Sequence, residues 1–180
     1  YQDWIFISNL DNNFNIIHNN KKQLKEFINS HSDYWFVGFN NYHYDDYILS
    51  DIINGNNPYL LSKTIIEKSS ESFYKLKYPI YLNYKSLDLI QDIEKENGKR
   101  ISLKKIMANL GLNIIESEIS FDVKRKLTKI EIENTIKYCS NDVIGVKEFF
   151  KYRESYFNTK LILIKDFNLP MLNIRLNENN

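Results

Sequence analysis

The sequence lacks the features of secreted and membrane-spanning proteins. It contains one Cys among 180 residues, which excludes a disulfide framework and a cysteine-based zinc site. No uninterrupted apolar run approaches the roughly 18 residues of a membrane span, and the opening residues lack the basic and small-residue pattern of a signal peptide. We therefore expect a soluble, cytoplasmic protein without a membrane partner.

Strong charge of one sign is also missing. The net charge is +1, so overall charge does not identify a nucleic-acid partner. Residues 1–60 carry 3 Lys against 7 Asp and Glu, whereas basic residues are in excess in the rest of the chain. This asymmetry fits a metal site beside a track for a polyanion, and it fits ordinary uneven surface charge equally well.

The residues that are abundant indicate a folded domain. Hydrophobic residues make up 43% of the chain and aromatic residues 14%, with 13 Tyr and 11 Phe, which excludes a disordered tail or linker. A chain of this size buries roughly 70% of its unfolded surface and needs no disulfide or metal to fold. We expect one domain, with or without an appended element.

The order of predicted elements favours an α/β fold with a mixed sheet, because an opening hairpin is followed by interleaved helices and strands. The hairpin strands are predicted at 4–8 and 14–18, and further buried strands at 34–39 and 87–90. Helices are predicted at 21–29, at 44–53, after Ser102, at 128–138 and at 141–166, with an irregular insertion over 58–85 that contains one short helix. Capping patterns mark three of these helix starts.

A carboxylate follows the apolar strand 34–39. The strand ends in Gly38-Phe39, a polar loop begins at Asn40, and Asp45 stands at the start of the next helix. Ligands in α/β sheets bind at the carboxyl ends of strands, and a helix N-terminus favours a negative charge. Asp45 and Asp46 are therefore site candidates, although helix-start acids without a functional role explain them equally well.

A second polar pair lies at helical spacing near the C-terminal third. Tyr138 and Asp142 are four residues apart, so they share a helix face. A phenol beside a metal-binding carboxylate can orient a water molecule for attack. Taken alone, this spacing more often gives a solvated or hydrogen-bonded pair.

Together the two segments resemble the second and third motifs of the DEDD 3′–5′ exonucleases, in the subgroup with tyrosine in the third motif. These domains proofread in family B and phage-type DNA polymerases. Their second motif is Asn, three residues, an aromatic residue and Asp, which matches Asn40 through Asp45; their third is Tyr, three residues and Asp, which matches Tyr138 and Asp142. The resemblance covers residues 1–150, and 151–180 is predicted to be a helical extension towards a further domain.

The resemblance implies a ribonuclease H-like fold, with a mixed five-stranded sheet flanked by helices, and a two-metal hydrolysis of single-stranded DNA from its 3′ end. Asp45 and Asp142 would hold two Mg²⁺ or Mn²⁺ ions, and Tyr138 would orient the attacking water. The residues implied to shape the path of the DNA strand are Phe39, Asn40 and Tyr44.

One motif of that family is missing from the printed sequence. Its first strand carries Asp-x-Glu, but neither Asp3 nor Asp11 is followed by Glu at the required position. We expect that the N-terminal strand is truncated here; the alternative is a domain that never had or has lost this pair. With two of four carboxylates absent, binding of Mg²⁺ should be poor and the chain weakly active or inactive.

The missing motif leaves a rival function open. The chain can be a catalytically silent module that keeps the exonuclease fold for a structural or binding role in a viral or replication assembly, with or without a polymerase domain. A weaker third hypothesis is a related nuclease acting on RNA. Near the motifs, Asp88 is predicted to be a structural hydrogen-bonding carboxylate and Cys139 a small buried residue. The basic residues after 123 fit a DNA path or a solvated helix face equally well.

Overall fold

The computed structural model describes residues 2–67, 83–93, 100–117, 119–120 and 123–176. These residues form a mixed α/β structure, which confirms the predicted fold class at that level. The strands are β1 (Ile5–Leu10), β2 (Asn13–His18), β3 (Trp35–Gly38) and β4 (Lys85–Asp88). The α-helices are α1 (Lys21–Ser30), α2 (Asp45–Asn54), α3 (Pro58–Glu67), α4 (Leu103–Asn109) and α5 (Lys129–Asp166), and 3₁₀ turns lie at Asn41–His43 and Met171–Arg175.

The predicted opening hairpin is confirmed. β1 and β2 pair antiparallel from Ile5 opposite His18 to Leu10 opposite Asn13. The two residues between the strands, Asp11 and Asn12, have φ angles of 50° and 65°, as expected for a two-residue hairpin turn that matches the twist of the strands. Local sequence therefore determines this element.

The sheet differs from the prediction. β3 and β4 pair in parallel, from Trp35 opposite Lys85 to Gly38 opposite Asp88, but within the described residues they form a sheet of their own, separate from β1 and β2. The described residues thus contain two two-stranded sheets and four strands rather than a continuous five-stranded sheet. The reason is that β1 and β3 do not meet; a cleft lies between them.

The end of the chain forms one long helix where two were predicted. α5 spans 38 residues, and a capping box between Thr128 and Glu131 starts it as expected. The residues at 139–141 are weak helix formers, but each costs only about 0.7 kcal/mol or less. Packing of α5 against β1, β3 and α4 offsets that cost, so the helix continues. No helix in the described ranges combines the length and apolarity needed to cross a membrane.

The predicted division at residue 150 falls inside α5. After the helix ends, the 3₁₀ turn Met171–Arg175 folds back, and Ile174 is buried against Leu87, Leu89 and Phe157. A second apolar cluster joins the hairpin to α1 and α2. The extension 151–176 therefore packs on the same core as β4, and a further domain beyond it stays a prediction. Residues 68–82 of the predicted insertion lie outside the described residues.

Candidate functional site

A cleft of about 820 Å³ separates the hairpin from the parallel strand pair. Its walls are β1, β3, the beginning of α2 and the middle of α5. Asp45 on α2 and Asp142 on α5 both line this cleft, although they are far apart in the sequence. The fold therefore brings to one cavity the two carboxylates that the sequence singled out.

A buried carboxylate shapes the loop that positions Asp45. Asp88, at the end of β4, is fully buried and accepts hydrogen bonds from the backbone N–H groups of Asn40 (2.7 Å), Tyr42 (3.1 Å) and Ile90 (3.0 Å). Asn40 adopts a left-handed conformation with φ of 64°, which Asn tolerates better than most residues. The loop after β3 is thus tied to β4, and the structural role predicted for Asp88 is confirmed.

The end of β3 requires a glycine. A Cβ atom at Gly38 would lie 2.9 Å from Oδ1 of Asn41, closer than a non-bonded contact allows. The Asn41 amide donates to Ser86 Oγ over 2.7 Å, and Asn41 itself is 6% exposed. Its Oδ1 is buried in the cleft wall and has no hydrogen-bond partner among the residues that the structure describes.

Consecutive acids at the start of α2 have different surroundings, since neighbouring helix positions point about 100° apart. Asp46 is 3% exposed and accepts hydrogen bonds from Ser86 Oγ at 2.9 Å and from the guanidinium of Arg175 at 3.2 Å. Burial still raises the pKa of Asp46, against the lowering effect of Ser86 and Arg175. Asp46 is therefore a structural residue at the base of the site.

Asp45 lines the cleft, and a hydrogen bond from its own backbone N–H favours its charged form. Its side chain is open to solvent on the cleft side, while protein surrounds the carboxyl group elsewhere. Burial raises the pKa of Asp45 to about 7, and the charges of Asp46 and Asp88 act in the same direction. Water in the cleft reduces the effect of burial on the pKa of Asp45. The pKa still lies above its ordinary value because both neighbouring charges are negative. A bound cation would reverse this effect.

Asp142 already has a cationic partner. Lys104 Nζ on α4 lies 2.5 Å from Asp142 Oδ1, and it also donates to the Ile115 carbonyl oxygen at 2.8 Å. The same ammonium group lies 4.5 Å from the centre of the Tyr138 ring, a distance typical of a cation–π contact. Lys104 was not singled out by the sequence, because no local pattern connects residues 38 positions apart.

The remaining predicted site residues lie in or beside the cleft. Phe39 lines it and contacts Phe149 edge-to-face, with ring centroids 6.3 Å apart. Asn40 and Tyr44 lie beside the cleft lining, and the Tyr44 hydroxyl is hydrogen-bonded to Ser62 Oγ at 2.7 Å. Of the predicted path residues, Phe39 is thus the one in the wall.

Tyr138 lies next to the cleft, because the residue after it, Cys139, lines the cleft. Burial together with the charges of Asp142 and Asp45 raises the pKa of the Cys139 thiol to about 11. Burial and the adjacent Asp142 also raise the pKa of Tyr138. Both groups are therefore neutral at physiological pH, and the Tyr138 hydroxyl is hydrogen-bonded to the Asp142 carboxylate, which leaves its oxygen as an acceptor.

Several basic residues considered for a DNA path are held by internal partners. Arg125 is bound by both oxygens of Glu131 at 2.8 Å. Lys151 pairs with Glu148 at 2.6 Å, and Lys160 lies 3.4 Å from Asp92. These contacts suit a solvated helix face, while a DNA path along α5 stays a prediction.

The donor set of the cleft does not suit two metal ions by itself. Within the described residues, no group of three or more His, Cys, Asp or Glu side chains is arranged to hold a metal. Asp45 and Asp142 supply two carboxylates, whereas Mg²⁺ demands near-octahedral oxygen coordination and a two-metal site needs bridging ligands. Further carboxylates would have to join the cleft for such a site to form.

Comparison with known proteins does not assign the chain to a family. No protein-family model, no curated protein and no solved structure matches it.

Proposed function

We propose that this chain is most of a 3′–5′ exonuclease domain of the tyrosine subgroup, which hydrolyses single-stranded DNA from its 3′ end. One observation carries the proposal: Asp45 and Asp142, the acids of the two motif-like segments, line a single cleft. These two residues are 97 positions apart in the sequence, and a shared phosphodiester site requires both of them to line one cavity.

The surroundings of each residue support a distinct role. Asp45 is a carboxylate open to the cleft, with a raised pKa that a cation would lower. Tyr138 lies one helical turn before Asp142 and is neutral, so it can hold a water molecule without binding metal. Phe39 offers an aromatic wall for a terminal base.

The proposed activity depends on an Asp-x-Glu pair that the printed sequence lacks. The two carboxylates present are too few for two divalent ions. In the proposed enzyme, Mg²⁺ or Mn²⁺ would supply charge neutralisation at the scissile phosphate once these ligands are complete. The residues of this chain would hold the substrate strand and orient the water.

The test compares the 180-residue chain with a chain extended at its N-terminus by a strand that carries Asp-x-Glu. Both are incubated with a 5′-labelled single-stranded DNA in Mg²⁺ or Mn²⁺. We expect stepwise shortening from the 3′ end by the extended chain alone, and loss of that activity in its Asp142→Ala variant. The control is Asp166→Ala, which removes an exposed carboxylate from the same helix.

Two results would contradict the proposal. One is full activity of the Asp142→Ala variant, which would place the chemistry elsewhere. The other is the absence of digestion by an extended chain that is folded and binds metal. Replacing the DNA with RNA of the same sequence in parallel reactions separates the proposed substrate from the RNA alternative.

A second function is favoured by one contact. The ion pair between Lys104 and Asp142, at 2.5 Å, neutralises a carboxylate that the enzyme would need for metal. A catalytically silent module with a structural or binding role in a viral or replication assembly would keep this pair permanently. Single-strand binding by the extended chain without any digestion, in either metal, would favour this second function.

A further inference from the structure

One arginine contacts the chain on both sides of Asp45. Arg175 Nη2 donates to Asp46 Oδ2 over 3.2 Å, and Arg175 Cζ lies 4.0 Å from the centre of the Tyr42 ring. Tyr42 precedes Asp45 in the 3₁₀ turn after β3, and Asp46 follows Asp45 directly in α2. The side chain of Arg175 thus joins the 3₁₀ turn to the first turn of α2.

This arginine is the cationic partner of an acidic cluster. The charges of Asp46 and Asp88 both act on Asp45, so the three carboxylates lie close enough to repel one another. Arg100 acts on Asp88 through its charge, but of the ion pairs in the described ranges only that of Arg175 with Asp46 reaches any of the three. Arg175 therefore stabilises the start of α2 beside β4.

The chain turns back after α5 and brings Arg175 to this place. Asn168 has a φ angle of 49°, a left-handed conformation that Asn tolerates. The backbone N–H of Leu169 donates to the carbonyl oxygen of Ile164 over 2.8 Å, and this is a common helix ending in which the chain reverses its direction. Residues 167–176, which we call the strap, thus run back over the core instead of continuing along the axis of α5.

The strap is fixed on its inner side and open on its outer side. Ile174 is 3% exposed and packs in the apolar cluster beside β4, while Lys160 Nζ donates to the carbonyl oxygen of Leu176 over 2.7 Å. Both neighbours of Arg175 in the chain are therefore held by the core. The side chain of Leu172 is 70% exposed, so a molecule outside the fold can reach the strap.

We propose that the strap positions Asp45, because Arg175 holds Tyr42 and Asp46 and thereby fixes the short segment between them. Arg175 is a positioning residue in this arrangement, since it acts through these two neighbours. Displacing the strap would release the segment and with it the direction of the Asp45 carboxylate. The strap is thus a conformational control on the candidate site, and it applies to the proposed enzyme and to the silent module alike.

The experiment measures hydrogen exchange in the 180-residue chain without DNA or metal. Arg175→Met removes the guanidinium group, and the matched control Leu172→Ala shortens an exposed side chain of the same strap. We expect Arg175→Met to speed exchange about ten-fold at the amides of Tyr42 and Tyr47, whose N–H groups are hydrogen-bonded in the unchanged chain. The control should leave these rates within about two-fold of their original values.

The amides of the β1–β2 hairpin are the internal reference, because the strap does not hold them. Their exchange should stay unchanged in Arg175→Met. Equal acceleration in the hairpin and at Tyr42 would indicate a general loss of stability and would overturn the proposal. Equal rates for Arg175→Met and Leu172→Ala would overturn it as well. Arg175→Gln replaces the Met variant, with the same expectations, if Arg175→Met does not fold.

Two further variants test whether Arg175 acts through Asp46. Arg175→Lys keeps a cation for Asp46, so exchange at Tyr42 should be slower than in Arg175→Met. In an Asp46→Asn background the effect of Arg175→Met should fall to less than half. Equal rates for the Lys and Met variants, or an undiminished effect beside Asn, would overturn the proposal. Since no arm of this test depends on digestion, its failure is distinct from a failure of the proposed nuclease.

Discussion

Lys104 Nζ and Asp142 Oδ1 are 2.5 Å apart, and both side chains are about one quarter exposed. The pair joins α4 to α5 beside the candidate site, and the Tyr138 ring lies against the same ammonium group. A charge-assisted hydrogen bond in a partly buried place is worth more than an exposed surface pair. This contact therefore has consequences for both stability and metal binding.

Removing the lysine should destabilise the fold. We expect Lys104→Met to lower the free energy of unfolding by about 1–2 kcal/mol, since Asp142 then lacks its charged partner. Urea denaturation measures the change. The matched control is Lys151→Met, which breaks an exposed pair with Glu148 and should cost about 0.5 kcal/mol or less. Equal effects of the two variants would show that the pair of Lys104 with Asp142 stabilises the fold no more than an exposed ion pair does.

The raised pKa of Asp45 gives stability a pH dependence of known sign. A carboxyl group whose folded-state pKa is raised above its ordinary value near 4 binds more protons when folded than when unfolded between those two pKa values. Its contribution to stability is therefore greatest below about pH 4 and falls as the pH rises through the raised folded-state pKa. Asp45→Asn should increase the free energy of unfolding more at pH 7.5 than at pH 4.5.

Urea denaturation at the two pH values, with Asp166→Asn as an exposed control, measures this difference. The expected result is a gain that grows with pH for Asp45→Asn and a nearly constant effect for the control. A gain independent of pH would show that the Asp45 carboxyl group titrates in its ordinary range.

A substitution at Tyr138 distinguishes an enzyme from a catalytically silent module. In a chain that is active after extension, Tyr138→Phe should lower kcat by roughly ten- to a thousand-fold, because a positioned polar group contributes in that range. Stability should fall by only about 1 kcal/mol. The control Tyr152→Phe changes a residue that is 69% exposed on the same helix. Single-turnover rates and Tm are measured on the same preparations; a lower Tm with an unchanged rate would indicate a purely structural tyrosine.

Gly145 permits the close packing of α4 on α5. A Cβ atom there would lie 2.5 Å from Sδ of Met107, which is 1% exposed. Overpacking of this kind costs about 1–3 kcal/mol, whereas replacing Gly by Ala within a helix gains about 1 kcal/mol. We expect Gly145→Ala to be destabilising by about 1 kcal/mol in urea denaturation.

A double-mutant cycle identifies the cause. In a Met107→Ala background the clash is removed, so Gly145→Ala should become neutral or stabilising. An effect of Gly145→Ala that stays the same in both backgrounds would mean that Met107 is not the obstacle.

Features with local causes were predictable from the sequence. The hairpin turn at Asp11-Asn12, the cap at Asn20 and the capping box at Thr128 each depend on neighbouring residues, and the structure contains all three. The placement of Asp45 at a helix start after a strand follows from the same kind of evidence. The sequence did not predict the single long helix, because the weak helix formers at 139–141 indicate the end of a helix when the packing around them is unknown.

Only the tertiary structure determines how these helices and strands pack against each other. The sequence by itself determined the elements, their caps and the two motif-like segments, because those depend on interactions within a few residues. It did not reveal that Lys104 pairs with Asp142, that Asp88 holds the loop after β3, or that β1 and β3 stand apart across a cleft. Those contacts join residues tens of positions apart, and they form because burying apolar faces against α5 and β4 fixes the relative positions of elements that local propensity leaves independent.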